Sequence, residues 1–257
     1  MDVLVEELIR IKDEGAGAVL ITVVESEALE GLDSGSKYLV QDGCIVVGAV
    51  NNAELEEMLL REAAIRLSEE RSRLVSMETK SGGRTDLFFE VMPSPPKLIV
   101  VGAGHIAVPL VKIAKLMDYY TVVIDDRILF ANHERFPDAD EVVVGDMAET
   151  VKAFDITPTT YVVLITRGHK YDEPCLRELL DRPAKYIGMI GSKRRIKACF
   201  ERFKEGEPVS EELISRVYAP IGLDIETETP EEIALGILGE IIKVRRGGKA
   251  RSLSQKQ

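Results

Sequence analysis

The stretch K97-L-I-V-V-G-A-G-H-I-A107, followed by a helical run and then by T121-V-V-I-D-D-R127, constrains this chain more than any other. Lys97–Val101 is apolar after its first residue and mostly β-branched, which predicts a buried parallel strand. Gly102 then permits a tight turn, Gly104 lets the backbone approach a phosphate, and Ala107 stands where a small residue allows a helix to pack closely on its strand. Apolar residues at Ile106, Leu110, Ile113, Ala114 and Met117 have the spacing of a helix lying on a sheet. The free amides at its start would face an anion. The second strand ends at Asp125, 23 residues after Gly102, close to the roughly 20-residue offset of a carboxylate that takes ribose hydroxyls. Strand, glycine turn, helix, strand and terminal acid in this order predict a Rossmann-type layer. The alternative is a structural turn in an α/β domain without a ligand. Arg127 could approach a ribose 2′-phosphate, but Asp125 opposes one, so NADP is the less suited dinucleotide.

A chain of 257 residues has room for one large domain or two modest ones. Its formal charge of -11 gives no general attraction to nucleic acid. The opening MDVLVEELIRIKDEG lacks a basic leader followed by an apolar segment, and no apolar run is long enough for a membrane span. A cytoplasmic protein without membrane contact is expected. Cys44, Cys175 and Cys199 have no paired ligand spacing and are odd in number, so neither a metal site nor a disulfide framework is expected. Cys175 and Cys199 lie in helix-like segments and read as small buried side chains; Cys44 follows Asp42-Gly43 in a turn and is the more exposed thiol.

Val3–Lys12 reads as an amphipathic helix and A18-V-L-I-T-V-V24 as a strand. Tyr38–Val40 and Ile45–Val47 flank an Asp-Gly turn, which predicts a hairpin. Residues 53–74 have helix-forming composition. A small α/β or α+β domain is therefore complete near residue 90, and M92-P-S-P-P96 interrupts helix and sheet alike. The expected organisation is a smaller N-terminal domain over 1–90, a Pro-rich linker over 91–96 and a Rossmann-like parallel sheet with a C-terminal helix and tail over 97–257. Strands are predicted at 98–101, 121–124, 141–144, 161–165 and 185–190.

Open α/β sheets bind ligands at the carboxyl ends of their strands. In Y161-V-V-L-I-T-R-G-H-K-Y-D172 the strand ends at Thr166, which puts Arg167 and His169 at that mouth. Arg167 is a candidate phosphate holder, His169 a candidate for orienting an anion or moving a proton, and Asp172 a partner for His169 or a helix cap. In Y186-I-G-M-I-G-S-K-R-R195, Gly191 makes a turn, Ser192 can cap the next helix, and Lys193 and Arg194 could approach a phosphate at its positive end. A structural cap and a solvated basic face explain the same residues. Near the C-terminus, Thr229, Pro230 and Glu231-Glu232 form a helix start.

Taken jointly, VVGAGHIA, VIDDR, TRGHKYD, YIGMIGSKRR and PIGLDIETETPEEIA resemble the XdhC/CoxI family of accessory proteins for xanthine dehydrogenase and related molybdenum hydroxylases, over about Lys97 to Val244. The resemblance implies a non-catalytic maturation factor that binds molybdenum cofactor, presents it for sulfuration and assists its insertion into the apo-enzyme. It places Gly102, Gly104 and His105 at the first phosphate-facing turn, Asp125 and Arg127 at the second strand end, and His169, Asp172, Gly191, Ser192 and Arg194 around the cleft, where the strand-end reading adds Thr166 and Arg167 as further cofactor-binding candidates. It implies a molybdenum hydroxylase as partner, a cysteine desulfurase as a second one, and a homodimer. The N-terminal half departs from the family pattern: V47-G-A-V-N-N-A-E54 has Ala53 where a cysteine commonly stands. An NAD-dependent oxidoreductase and a regulatory nucleotide-binding module are the alternatives; the first rests on the glycine turn and Asp125, but no separate substrate domain follows it.

Overall fold

The computed structural model describes residues 2–26, 32–78, 84–205 and 210–252, the side chains at 78, 169, 204 and 205 excepted. The chain divides into two compact units, Met1–Pro95 and Pro96–Gln257.

In the first unit the elements are α1 (Val3–Asp13), β1 (Ala18–Ser26), β2 (Lys37–Gln41), β3 (Cys44–Val47), α2 (Ala53–Glu69), β4 (Arg73–Glu78) and β5 (Arg84–Met92). The strands form one antiparallel sheet in the order β3-β2-β1-β5-β4. The predicted hairpin is β2–β3. Asp42 and Gly43 both have positive φ, 49° and 75°, as a two-residue turn matched to the right-handed strand twist requires. Helix α2 ends five residues short of the expected 74, because Glu70 turns left-handed at φ 49° and the chain re-enters the sheet as β4. The pair β4–β5, for which the sequence pattern predicts no strands, carries the sheet to Met92, two residues into the expected linker. Leu59 and Ala63 of α2 pack with Val19 and Ile21 of β1 and Leu87 and Phe89 of β5 in one core cluster.

The second unit contains β6 (Lys97–Val101), α3 (Ala107–Lys115), β7 (Tyr120–Asp125), β8 (Glu141–Val144), α4 (Met147–Ala153), β9 (Thr160–Leu164), α5 (His169–Arg177), β10 (Tyr186–Met189), α6 (Lys193–Glu205), α7 (Glu211–Ser215), β11 (Val217–Tyr218) and α8 (Pro230–Arg246). All six strands are parallel, in the order β8-β7-β6-β9-β10-β11. Counted from β6, this is the 3-2-1-4-5-6 order of dinucleotide-binding sheets, whose switch point lies between the first and fourth strands. Here those are β6 and β9. Alternation along β6 sends Leu98 and Val100 into the core under α3 and α8, and Ile99 and Val101 into the core under α4, α5 and α6. Both faces are covered, which is why these strands read as continuous apolar runs.

The start of α8 follows the sequence expectation. Thr229 accepts the Glu232 amide at 3.2 Å while Glu232 accepts the Thr229 amide at 3.0 Å, a reciprocal cap with Pro230 opening the helix. From α8, the buried Glu240 accepts from Tyr186 Oη at 2.6 Å and from the Gly222 amide at 2.9 Å, joining the last helix to β10. Among the described residues, no helix is long and apolar enough to cross a membrane.

Candidate functional site

The glycine turn is wedged between its neighbouring strand ends. Gly102 donates its N–H to the Ile124 carbonyl at 2.7 Å. At φ 106°, a Cβ on Gly102 would sit 2.5 Å from the Ile165 carbonyl oxygen. Only glycine meets both demands. Gly104 differs: a Cβ there would meet no heavy atom within 4 Å, so the backbone borders open space. His105 beside it is exposed.

Asp125 is fully buried at the end of β7. Its carboxylate accepts from the Ala103 amide at 2.8 Å, the Arg127 amide at 3.1 Å, and Nε and Nη2 of Arg127 at 2.8 and 2.9 Å. Burial alone would push its pKa up. Arg127 and the two amides outweigh that effect and hold it at about 2. The Arg127 guanidinium in turn lies over the Phe130 ring, its Cζ 3.6 Å from the ring centroid. Arg135 donates to the carbonyls of Ala103 and Phe130 at 2.8 and 3.0 Å, which ties the loop after β7 to the glycine turn. The expected free acid at the second strand end is therefore an internal ion pair. Both its oxygens are engaged, and contact with a ribose would require displacing Arg127.

At the end of β9, Thr166 Oγ1 donates to Asp172 Oδ1 at 2.5 Å, and Arg195 Nη2 donates to Asp172 Oδ2. Asp172 is buried. Its partner across the loop is Arg195 and it serves as no helix cap. The helix α5 instead begins at Gly168, with His169 as its first residue; the expected contact between His169 and Asp172 falls on a side chain outside the described residues. Arg167 Nη2 donates to both oxygens of Asp126, at 2.6 and 2.7 Å, and to Tyr171 Oη at 2.8 Å.

At the end of β10, Gly191 is half-buried and Ser192 caps α6 as expected, its Oγ accepting the Arg195 amide at 3.3 Å. Arg194 is exposed on the outer side of that helix. Arg195 is the residue that enters the mouth. A signal for it exists in the sequence: Ile196, Cys199 and Phe203 mark the buried face, and Arg195 sits four residues before Cys199, on the edge of that face. Its Nε is buried and has no hydrogen-bond partner among the described residues.

The cysteines sort as the sequence implied. Cys175 and Cys199 are buried, and burial raises their thiols to about 12 and about 11, which leaves them inert at neutral pH. Cys44 is exposed. At the N-terminal turn, Asn52 caps α2 by accepting from the Glu54 and Leu55 amides at 3.0 and 3.2 Å, and Ala53 is the first helical residue. Among the described residues, no three His, Cys, Asp or Glu side chains are grouped to hold a metal.

The second unit matches the model of the XdhC Rossmann domain over residues 98–241, more than half of the chain. The chain is 27% identical to Escherichia coli (strain K12) YqeB, described as uncharacterised, over 93% of this chain and 46% of that protein. It is 31% identical to a probable xanthine dehydrogenase subunit of Bacillus subtilis (strain 168), over 63% of this chain and 47% of that protein. The chain thus spans about half the length of these curated relatives. A Bacillus halodurans protein crystallised as a xanthine dehydrogenase shares the fold across 98% of this chain and 97% of its own, with a TM-score of 0.55 and 22% identity. On the match across its Rossmann unit, this chain belongs to the XdhC family.

Proposed function

We propose that this chain binds molybdenum cofactor by its phosphate-bearing part at the mouth of the second unit and assists its insertion into a xanthine dehydrogenase-like hydroxylase. The observation that carries this reading is that the open backbone at Gly104 follows β6 while Arg167 follows the adjacent strand, β9. An exposed guanidinium beside a backbone without side chains is suited to a phosphate. Arg195, one strand further on, adds a second positive group whose buried Nε has a hydrogen bond still to make. The chemistry asked of these residues is binding and release. The molybdenum centre arrives and leaves with the cofactor as cargo.

The alternative of NAD-dependent hydride transfer draws less support from the same residues. Its ribose acid, Asp125, is occupied by Arg127. Sulfuration of the bound cofactor would draw sulfur from a partner such as a cysteine desulfurase, because Ala53 stands where the family pattern has cysteine and the two helical thiols are buried. A homodimer would present two such mouths to a dimeric client; sedimentation as a monomer across the working concentration range would remove that assignment.

The deciding experiment incubates the purified chain with molybdenum cofactor released from a hydroxylase, removes free cofactor, and adds apo-hydroxylase. Retention of cofactor and a gain of hydroxylase activity above that of free cofactor are expected. Absence of both, with all proteins folded, would end the proposal.

A further inference from the structure

Arg167 and Asp126 stand after the two strands that flank β6, so their ion pair reaches across the end of the strand that launches the glycine turn. A single nitrogen of Arg167 makes that pair. Nη2 takes both Asp126 oxygens and Tyr171 Oη, and the guanidinium rests on the Tyr171 ring at 4.6 Å. Ring and hydroxyl together hold the cation beside Asp126.

The two neighbouring aspartates are held very differently. Asp125 is buried and fixed by two amides and a two-pronged arginine contact. Asp126 is a third exposed; among the described residues, the nearest cation apart from Arg167 at 2.6 Å is Arg127 Nε at 3.8 Å. A pair at this exposure contributes little net free energy, since solvent and salt screen it. Asp126 can therefore be displaced where Asp125 cannot.

We propose that Asp126 sets a charge threshold for this anion site. Its carboxylate occupies Arg167 until a ligand group carrying two negative charges displaces it, so the site selects phosphate monoesters over phosphate diesters. The inference rests on the anion-binding reading of the mouth given above. A diester brings one negative charge, the same as the carboxylate it would displace, and leaves Asp126 with the longer Arg127 contact at 3.8 Å beside a second anion. A monoester above its second pKa of about 6 brings two, and its stronger attraction to Arg167 offsets the cost of releasing Asp126. Asp126 is thus a specificity-determining residue, and Arg167 is the group it controls.

The test is a titration of the isotopically labelled full chain with methyl phosphate and dimethyl phosphate, followed by NMR through the amides of Gly102–Gly104 and Arg167. At pH 7.5 the monoester should bind about tenfold tighter than the diester. At pH 5, where the monoester carries one charge, that preference should vanish. Asp126→Asn should narrow the pH 7.5 ratio to about twofold by strengthening diester binding, and Arg167→Gln should remove binding of both probes. Asp126→Ala serves as a second removal of the charge, and melting temperatures of all variants establish folding. Equal binding of the two probes to the wild-type chain, a ratio unchanged by removal of Asp126, or no binding of either probe would each overturn the threshold. Failure of cofactor delivery with the probe ratio intact would instead remove the cofactor reading and leave the threshold standing.

Discussion

Asp125 accepts the backbone N–H of Ala103 at 2.8 Å, which ties the glycine turn after β6 to the end of β7. The same carboxylate neutralises Arg127. On sequence alone Asp125 faces a ligand; in the structure its carboxylate is taken up by Arg127 and the glycine turn, so Asp125→Asn is a test of stability. Asp125→Asn leaves Arg127 with the longer Asp126 contact and weakens the acceptor for Ala103; loss of one member of a buried pair costs about 3–5 kcal/mol, and the partial exposure of Arg127 puts this case at about 3 kcal/mol. Chemical denaturation should show that loss. A variant as stable as the wild type would mean that the pair contributes nothing and would return Asp125 to the ligand.

Acid should expose the same interaction. The folded carboxyl of Asp125 titrates at about 2, below the ordinary aspartate value of about 3.9. Its contribution is therefore complete above the unfolded value and is lost as pH falls from about 4 towards 2. The stability gap between wild type and Asp125→Asn should be constant from pH 7 to 5 and shrink below pH 4. A gap that stays constant to pH 2.5 would contradict the depressed value.

The two glycines of the turn should separate folding from binding. Gly102→Ala puts a methyl group 2.5 Å from the Ile165 carbonyl in a backbone region that disfavours side chains, a combined cost of about 3 kcal/mol. Gly104→Ala meets open space and should melt within a degree or two of the wild type. Gly104→Val should weaken cofactor binding while the fold persists. Unchanged cofactor binding by folded Gly104→Val would show that the turn is not the operative site.

Much of this architecture is legible in the sequence because it is local. The apolar runs of β6, β7 and β9, the spacing of Gly102, Gly104 and Ala107, the Asp42-Gly43 hairpin and the Thr229 cap each depend on residues a few positions apart. What is not legible depends on pairing at a distance. Strand β11 has two residues, and its place is fixed by pairing with β10. Strands β4 and β5 depend on their antiparallel pairing. The site shows the same division. Residue types and strand ends are readable, but the choice of Arg127 as partner for Asp125, and of Asp126 for Arg167, is made across loops. A motif specifies where a carboxylate stands, and only the fold decides what it faces.

Adjacent arginines at the start of α6 provide the last discrimination. Arg194 is exposed, whereas Arg195 reaches the buried Asp172, which also accepts from Thr166. Among the described residues, Arg195→Met would leave the buried Asp172 carboxylate with the Thr166 hydroxyl as its only side-chain partner. The resulting cost is about 3 kcal/mol, and stability should recover in part in the double variant Arg195→Met with Asp172→Asn, because the uncompensated charge is gone. Arg194→Met should be neutral for stability, within about 0.5 kcal/mol. For cofactor affinity the two should again differ, with the double variant binding more weakly than the wild type and Arg194→Met binding like it. If Arg194→Met loses the cofactor while the double variant retains it, the basic group that meets the ligand is on the outer side of α6, and Arg195 is a structural counter-ion to Asp172.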